Sequence, residues 1–232
     1  MDDFEIDIPQ MVWAGLDSSN SAPEEKKESI TSRLRWLTFS DTVFVAMPID
    51  SSAHRDTSKF NLIFFTILVA CINRRMFEIG LPVRGAVHIG EVTLSRRSFA
   101  GKAIVDAHTL GQRIQVAGTV ISEQANAFIF NHFSTLGAFH KMFTNLIIEC
   151  DVSTGRNSFE KIKTLCWFYL QLGRNNRFDL PSDLNRFITE KFTAHGKQLS
   201  GDKERSKVSN TEKLFRDWKT ANFLDYQRSV SP

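Results

Sequence analysis

Residues 34–48, LRWLTFSDTVFVAMP, decide the fold. Two short runs rich in Val, Phe, Thr and Trp, Trp36–Phe39 and Thr42–Met47, flank the polar tip Ser40-Asp41-Thr42, and Pro48 closes the second run. This pattern predicts two β segments joined at a polar turn. The next segment is Asn61 followed by LIFFTILVACI, Leu62 to Ile72, apolar apart from Thr66. It is far shorter than the about 20 apolar residues that a bilayer-crossing helix needs. Asn73, Arg74 and Arg75 follow it at once, so a buried core helix over about Ser58–Ile79 is expected. Gly80 and Pro82 supply its stop signal.

Further along, LPVRGAVHIGEVTLS (81–95) reads as a strand through Val83, Ala86, Val87, Ile89 and Val92. A loop around Arg96–Ala100 then leads to Gly101. A helix is expected from Lys102 to about Ala117, a strand at Val120–Ser122, a helix at Glu123–Phe133 and a strand at Leu146–Cys150. Residues 158–232 read as helical, interrupted by Gly173, Pro181 and the lysine-rich stretch at 197–209, taken as a solvated loop. Trp167, Phe168, Tyr169 and Trp218 in this tail are expected to be core packing. Upstream, residues 1–22 are polar and poorly patterned, and a charged helix is expected over Glu24–Leu34. A hairpin followed by crossover helices onto one sheet predicts an α+β fold, a ferredoxin-like palm with a mixed, mainly antiparallel sheet. The chain then divides into an N-terminal segment and helix (1–34), an α+β core (35–155) and a helical C-terminal extension (156–232).

Bulk composition narrows the partners. The chain has 232 residues, 42% of them hydrophobic and 24% charged, enough for one domain with an appendage or two small domains. A net charge of +3, spread along the chain, fits a small polyanionic ligand and gives no ground for nucleic-acid binding. Cys71, Cys150 and Cys166 are odd in number, sit in apolar surroundings and lack zinc spacing. They predict free thiols and a reducing compartment, the cytosol. The acidic start MDDFEIDIPQ carries no signal-peptide pattern.

Three places could carry chemistry. Asp41, at the hairpin tip, is either a turn residue or a carboxylate ligand for Mg²⁺ or Mn²⁺. Arg84 lies beside Gly85 in a strand that also holds Gly90, and glycine inside a strand marks a bulge or a close approach of ligand or backbone. An arginine there is either a solvent-facing strand residue or a phosphate clamp. His88 is also open between two roles, a satisfied structural histidine, the commoner case, and a catalytic one. Finally, Gly101-Lys102 starts a helix and could hold an anion at its N-terminus, with Asp106 and Thr109 near the same face.

The order of these motifs is similar to that of the class III nucleotide cyclases. FSDTVFVAMP, the Phe60–Ile79 helix, VRGAVHIGEV, AGKAIVDAHTL and GTVIS stand in the family's sequence of metal-bearing hairpin, helix, Arg-Gly strand, Gly-led helix and short strand. Within the superfamily the details resemble the pyrimidine cyclases of Pycsar antiphage systems: FSD at the tip, PVRGA on the strand, GKAIVDA at the helix start, and later IIECDVSTG and KLFRDWKTANFL. The resemblance implies cyclisation of UTP or CTP to a 3′,5′-cyclic monophosphate with release of pyrophosphate. It implies a Mn²⁺ or Mg²⁺ cofactor, a homodimer and a separate effector that senses the product. By the same resemblance Asp41 is a metal ligand, Arg84, Lys102 and Arg113 are catalytic cations, and Ser40, Thr42, Gly85 and Gly101 border the nucleotide.

The departures form part of the expectation. The family's first metal Asp lies on an apolar strand well upstream of the hairpin, and the matching distance reaches back to residue 1 or beyond. Asp2 and Asp3 stand there without such a strand. Leu37 and Ser98 replace the residues with which purine cyclases read their base, and Val105 and Thr109 replace the family's helix Asn and Arg. The alternative expectation is therefore a catalytically inactive, N-terminally truncated cyclase-like domain that acts in nucleotide binding or dimerisation.

Overall fold

A computed structural model describes residues 32–39, 41–49, 55–95, 98–133, 144–155, 158–167 and 180–230. The expected helix at Glu24–Leu34 falls almost wholly outside these residues, and of its last three positions Ser32 and Arg33 form a turn and Leu34 belongs to no regular element.

The hairpin is present as read. Strands β1 (Arg35–Phe39) and β2 (Thr42–Ala46) pair antiparallel, with Phe39 opposite Thr42. Helix α1 follows (Arg55–Glu78), and Gly80 just beyond it takes a left-handed φ of 80°. A side chain at Gly80 would run into Ala194 Cβ, so both torsion and space require glycine there. Of the described helices, none is long and apolar enough to cross a membrane.

α1 carries apolar residues almost all round because it is covered on two sides. Phe64 and Leu68 pack with Leu34, Val45 and Met47 of the hairpin region. Ile63, Ile67, Ala70 and Cys71 belong to the main core. Two of its buried polar side chains donate hydrogen bonds: Thr66 Oγ1 to Leu62 O (2.8 Å), and Asn73 Nδ2 to Val69 O (2.9 Å) and to Thr119 Oγ1 (2.7 Å).

The main sheet has four strands in the order β3-β6-β8-β7: β3 (Arg84–Val87), β6 (Gly118–Ile121), β8 (Ser158–Leu165) and β7 (Ile147–Gly155). β3 and β6 are parallel and the remaining pairs antiparallel. Between β3 and β6 run a two-residue ladder, β4 (Thr93–Leu94) with β5 (Phe99–Ala100), and helix α2 (Lys102–Arg113). Helix α3 (Glu123–Phe133) follows β6, and α4 (Leu184–Thr193) and α5 (Asp202–Val230) complete the order.

Residues alternate faces along β6. Thr119 meets Asn73 of α1, whereas a Cβ at Gly118 would point at Leu214 and Trp218 of α5. Thr164, opposite Val120, accepts the Trp218 Nε1–H at 2.8 Å. The sheet is thus covered by α1 on one face and α5 on the other. Phe77, Trp167, Phe215 and Trp218 form an aromatic cluster with ring centroids 5.2–6.3 Å apart. Trp167 and Trp218 are buried, as the sequence predicts; Phe168 and Tyr169 lie outside the described residues.

Four expectations need correction. The long strand over 81–95 breaks after Val87, and Thr93–Leu94 pairs with Phe99–Ala100 in what was read as a loop. α2 ends at Arg113 rather than near Ala117. Ser158–Leu165, read as the start of a helical tail, is a strand lying between β6 and β7. Part of the lysine-rich stretch is helical, since α5 begins at Asp202.

Candidate functional site

A cavity of about 1500 Å³ lies between the hairpin and the main sheet. Asp41–Ile49 border it on one side and Leu81–Val92 on the other. Phe65, Val69 and Asn73 of α1 and His108 and Gly111 of α2 also line it. A smaller pocket of about 540 Å³ adjoins it through the shared residues His88–Val92 and Ala103.

Gly111 explains how closely α2 approaches β3: a Cβ there would stand 3.4 Å from the Gly85 carbonyl carbon. Gly85 in turn leaves room for Thr119, whose Oγ1 would lie 3.2 Å from an added Cβ. Glycine in this strand marks a helix and a neighbouring side chain pressed against the backbone.

Asp41 is exposed at the hairpin tip, where its Oδ1 accepts from Thr42 Oγ1 at 3.3 Å. Both residues line the large cavity, and Ser40 lies outside the described residues. Arg84 lines the same cavity from the start of β3. Its guanidinium donates to Gln112 O and Ile114 O, each at 3.2 Å, and to the Gln112 side-chain oxygen. Arg84 therefore caps the C-terminus of α2, where a cation also complements the helix dipole.

Gly101 and Lys102 sit at the opposite end of α2 and border the smaller pocket. Gly101 has φ 147°, and an added Cβ would stand 2.6 Å from Glu91 O. Lys102 Nζ, on a side chain 87% exposed, pairs with Asp106 Oδ2 at 2.6 Å. A helix of 12 residues spans about 18 Å, so the Arg84 and Lys102 ends of α2 are well separated. Arg113 lines neither cavity. It pairs with Glu160 of β8 at 2.5 Å, and this bond, with a second from Thr154, holds the Glu160 carboxyl below its ordinary range.

His88 is a residue whose role the sequence leaves open. Its Nδ1 lies 3.0 Å from Ser122 Oγ and its Nε2 3.7 Å from Asp106 Oδ2. Ser122 Oγ also accepts the Ala125 N–H at 3.2 Å, so this hydroxyl caps α3. The sequence reading missed Lys207 of α5 altogether. It lines the large cavity, and burial, then the nearby charges of Arg84 and Lys203, hold its ammonium below the ordinary lysine range. No local pattern signals it, because α5 reaches the cavity only through tertiary packing.

The arrangement brings Asp41, Thr42, Arg84 and Gly85 to one cavity, leaves Gly101 and Lys102 in the adjoining pocket, and places Arg113 apart. Among the described residues, no three His, Cys, Asp or Glu side chains converge to hold a metal ion. Comparison of the chain with family models, with curated proteins and with solved structures returned no match.

Proposed function

We propose that the large cavity binds a nucleoside triphosphate and that the chain is a pyrimidine nucleotide cyclase of the class III type, built on the family's ferredoxin-like palm. One observation carries the reading: Asp41 of the hairpin and Arg84 and Gly85 of β3, distant in sequence, border a single cavity of about 1500 Å³. That volume exceeds the roughly 300–1,000 Å³ usual for small-ligand sites, which leaves room for a triphosphate. In the reaction the ribose 3′-oxygen attacks the α-phosphorus and the bond to the bridging oxygen breaks. Pyrophosphate leaves and the hydroxyl proton is lost. Among the described residues no three His, Cys, Asp or Glu side chains converge on a metal site, and Mn²⁺ or Mg²⁺ is implied by the resemblance alone. A homodimer, a cytosolic location and a product-sensing effector in antiphage defence belong to the same proposal.

The test is incubation of the full chain with UTP or CTP and Mn²⁺, with cyclic nucleotide and pyrophosphate measured together. Product is expected, and Asp41→Ala removes it. Absence of product from folded protein would sink the cyclase reading. A second reading, a cyclase-like domain that binds without turnover, is favoured by the lone described carboxylate at the hairpin tip and by the commitment of Arg113 to Glu160. It expects calorimetric UTP binding with no pyrophosphate released.

A further inference from the structure

Two cations, Arg84 and Lys207, line the large cavity, Arg84 bonded at the C-terminal end of α2 and Lys207 one turn before residues of α5 that dock just beyond that end. Arg84 reaches it from β3 and is fixed by its bonds to Gln112 and Ile114. Lys207 reaches it from α5, whose first half is docked on the next residues of the chain. Asn210 Nδ2 donates to Gln115 O at 3.2 Å, and the Ala117 N–H donates to Thr211 Oγ1 at 2.9 Å. Both cations are thus held around residues 112–117 by neighbours that are themselves anchored. Lys197 lines the same cavity, and Lys203 lies one turn before Lys207. Glu204, three residues before Lys207 in α5, partly offsets the neighbouring positive charges. Neither Arg84 nor Lys207 has a carboxylate within ion-pair distance among those residues.

Holding two like charges together in a partly desolvated place costs folding energy unless an anion joins them. We infer that Lys207 and Arg84 form an anion subsite that takes a diphosphate group at this end of the cavity. Lys207 supplies an ammonium with no carboxylate partner among the described residues, and Arg84 a guanidinium fixed by its bonds to Gln112 and Ile114. The inference rests on the nucleotide reading for its natural ligand, the pyrophosphate portion of the triphosphate, but it can be tested with pyrophosphate alone.

The experiment is a lysine-acylation footprint of the full chain, read by mass spectrometry, with and without inorganic pyrophosphate. Lys207 acylation is expected to fall at least threefold on adding pyrophosphate, while Lys102, exposed at the far end of α2, stays unchanged. Equal labelling of Lys207 with and without pyrophosphate overturns the inference, as does equal protection of Lys102. In parallel, calorimetry on Lys207→Gln and Lys207→Arg should show at least tenfold weaker pyrophosphate binding for the first and recovery for the second. Unaltered affinity in Lys207→Gln also overturns it. If Lys207 is protected but no cyclic nucleotide forms from UTP or CTP, the subsite stands and the cyclase reading falls. If product forms and Lys207→Gln leaves KM untouched, the reverse holds.

Discussion

Gly101 and Arg84 show how residues that attract attention as binding candidates can be explained first by the backbone. At φ 147° with Glu91 O in the place of a Cβ, Gly101 lets the β5 segment turn into α2. Gly101→Ala should cost on the order of 1–3 kcal/mol, measured as the fall in unfolding free energy in urea. A cost within about 0.3 kcal/mol of zero would mean that the turn relaxes freely. The glycines were legible in the sequence as points of close approach, but what approaches them was not. At Gly85 it is Thr119, and the body pressed on the Gly85 backbone is Gly111. Arg84 was legible as a cation beside a backbone-limited strand, although its partners, the last carbonyls of α2, lie 28 and 30 residues away. Lys207 was illegible for the same reason, more strongly: its surroundings come from β3, distant in the chain.

At the scale of elements, alternation and stop signals revealed the hairpin, α1, β6 and α3 because each presents a regular apolar face or a glycine stop. β8 escaped because only Thr164 and Leu165, at its end, are buried, while Ser158–Lys161 are exposed on both faces and read as a polar helix. The α4–α5 contact offers a test of how the tail is fastened. Asn185 donates to Glu212 at 2.7 Å, and this bond, then that from Arg216, lowers the Glu212 carboxyl below its ordinary 4.5. A depressed folded-state value means stabilisation that is fully present above the unfolded value and lost as pH falls through the folded one. The contribution should therefore persist above about pH 4.5 and fade below it. Urea midpoints taken through that range should fall more steeply for the wild type than for Glu212→Gln; parallel curves would show that the pair contributes nothing.

For the whole molecule, α1 holds the parts together, covered by the hairpin on one side and the main core on the other. The α+β class was readable because strands and helices alternate along the chain. The layering was not, because the sequence does not reveal that α5 returns to cover the face opposite α1. That return also gives the protein an optical signature. Of the four tryptophans, Trp167 and Trp218 are buried with their rings at 73° and 6.3 Å, whereas Trp36 is 46% exposed and Trp13 lies outside the described residues. Two indoles at that angle and separation couple their strong far-ultraviolet transitions, so the far-ultraviolet dichroism should carry a paired-sign band that Trp218→Phe removes. The same substitution deletes the hydrogen bond to Thr164 and should cost about 1–2 kcal/mol. Iodide should quench Trp36 while the coupled pair stays dark to it, so that light alone reports whether the last helix is seated on the sheet.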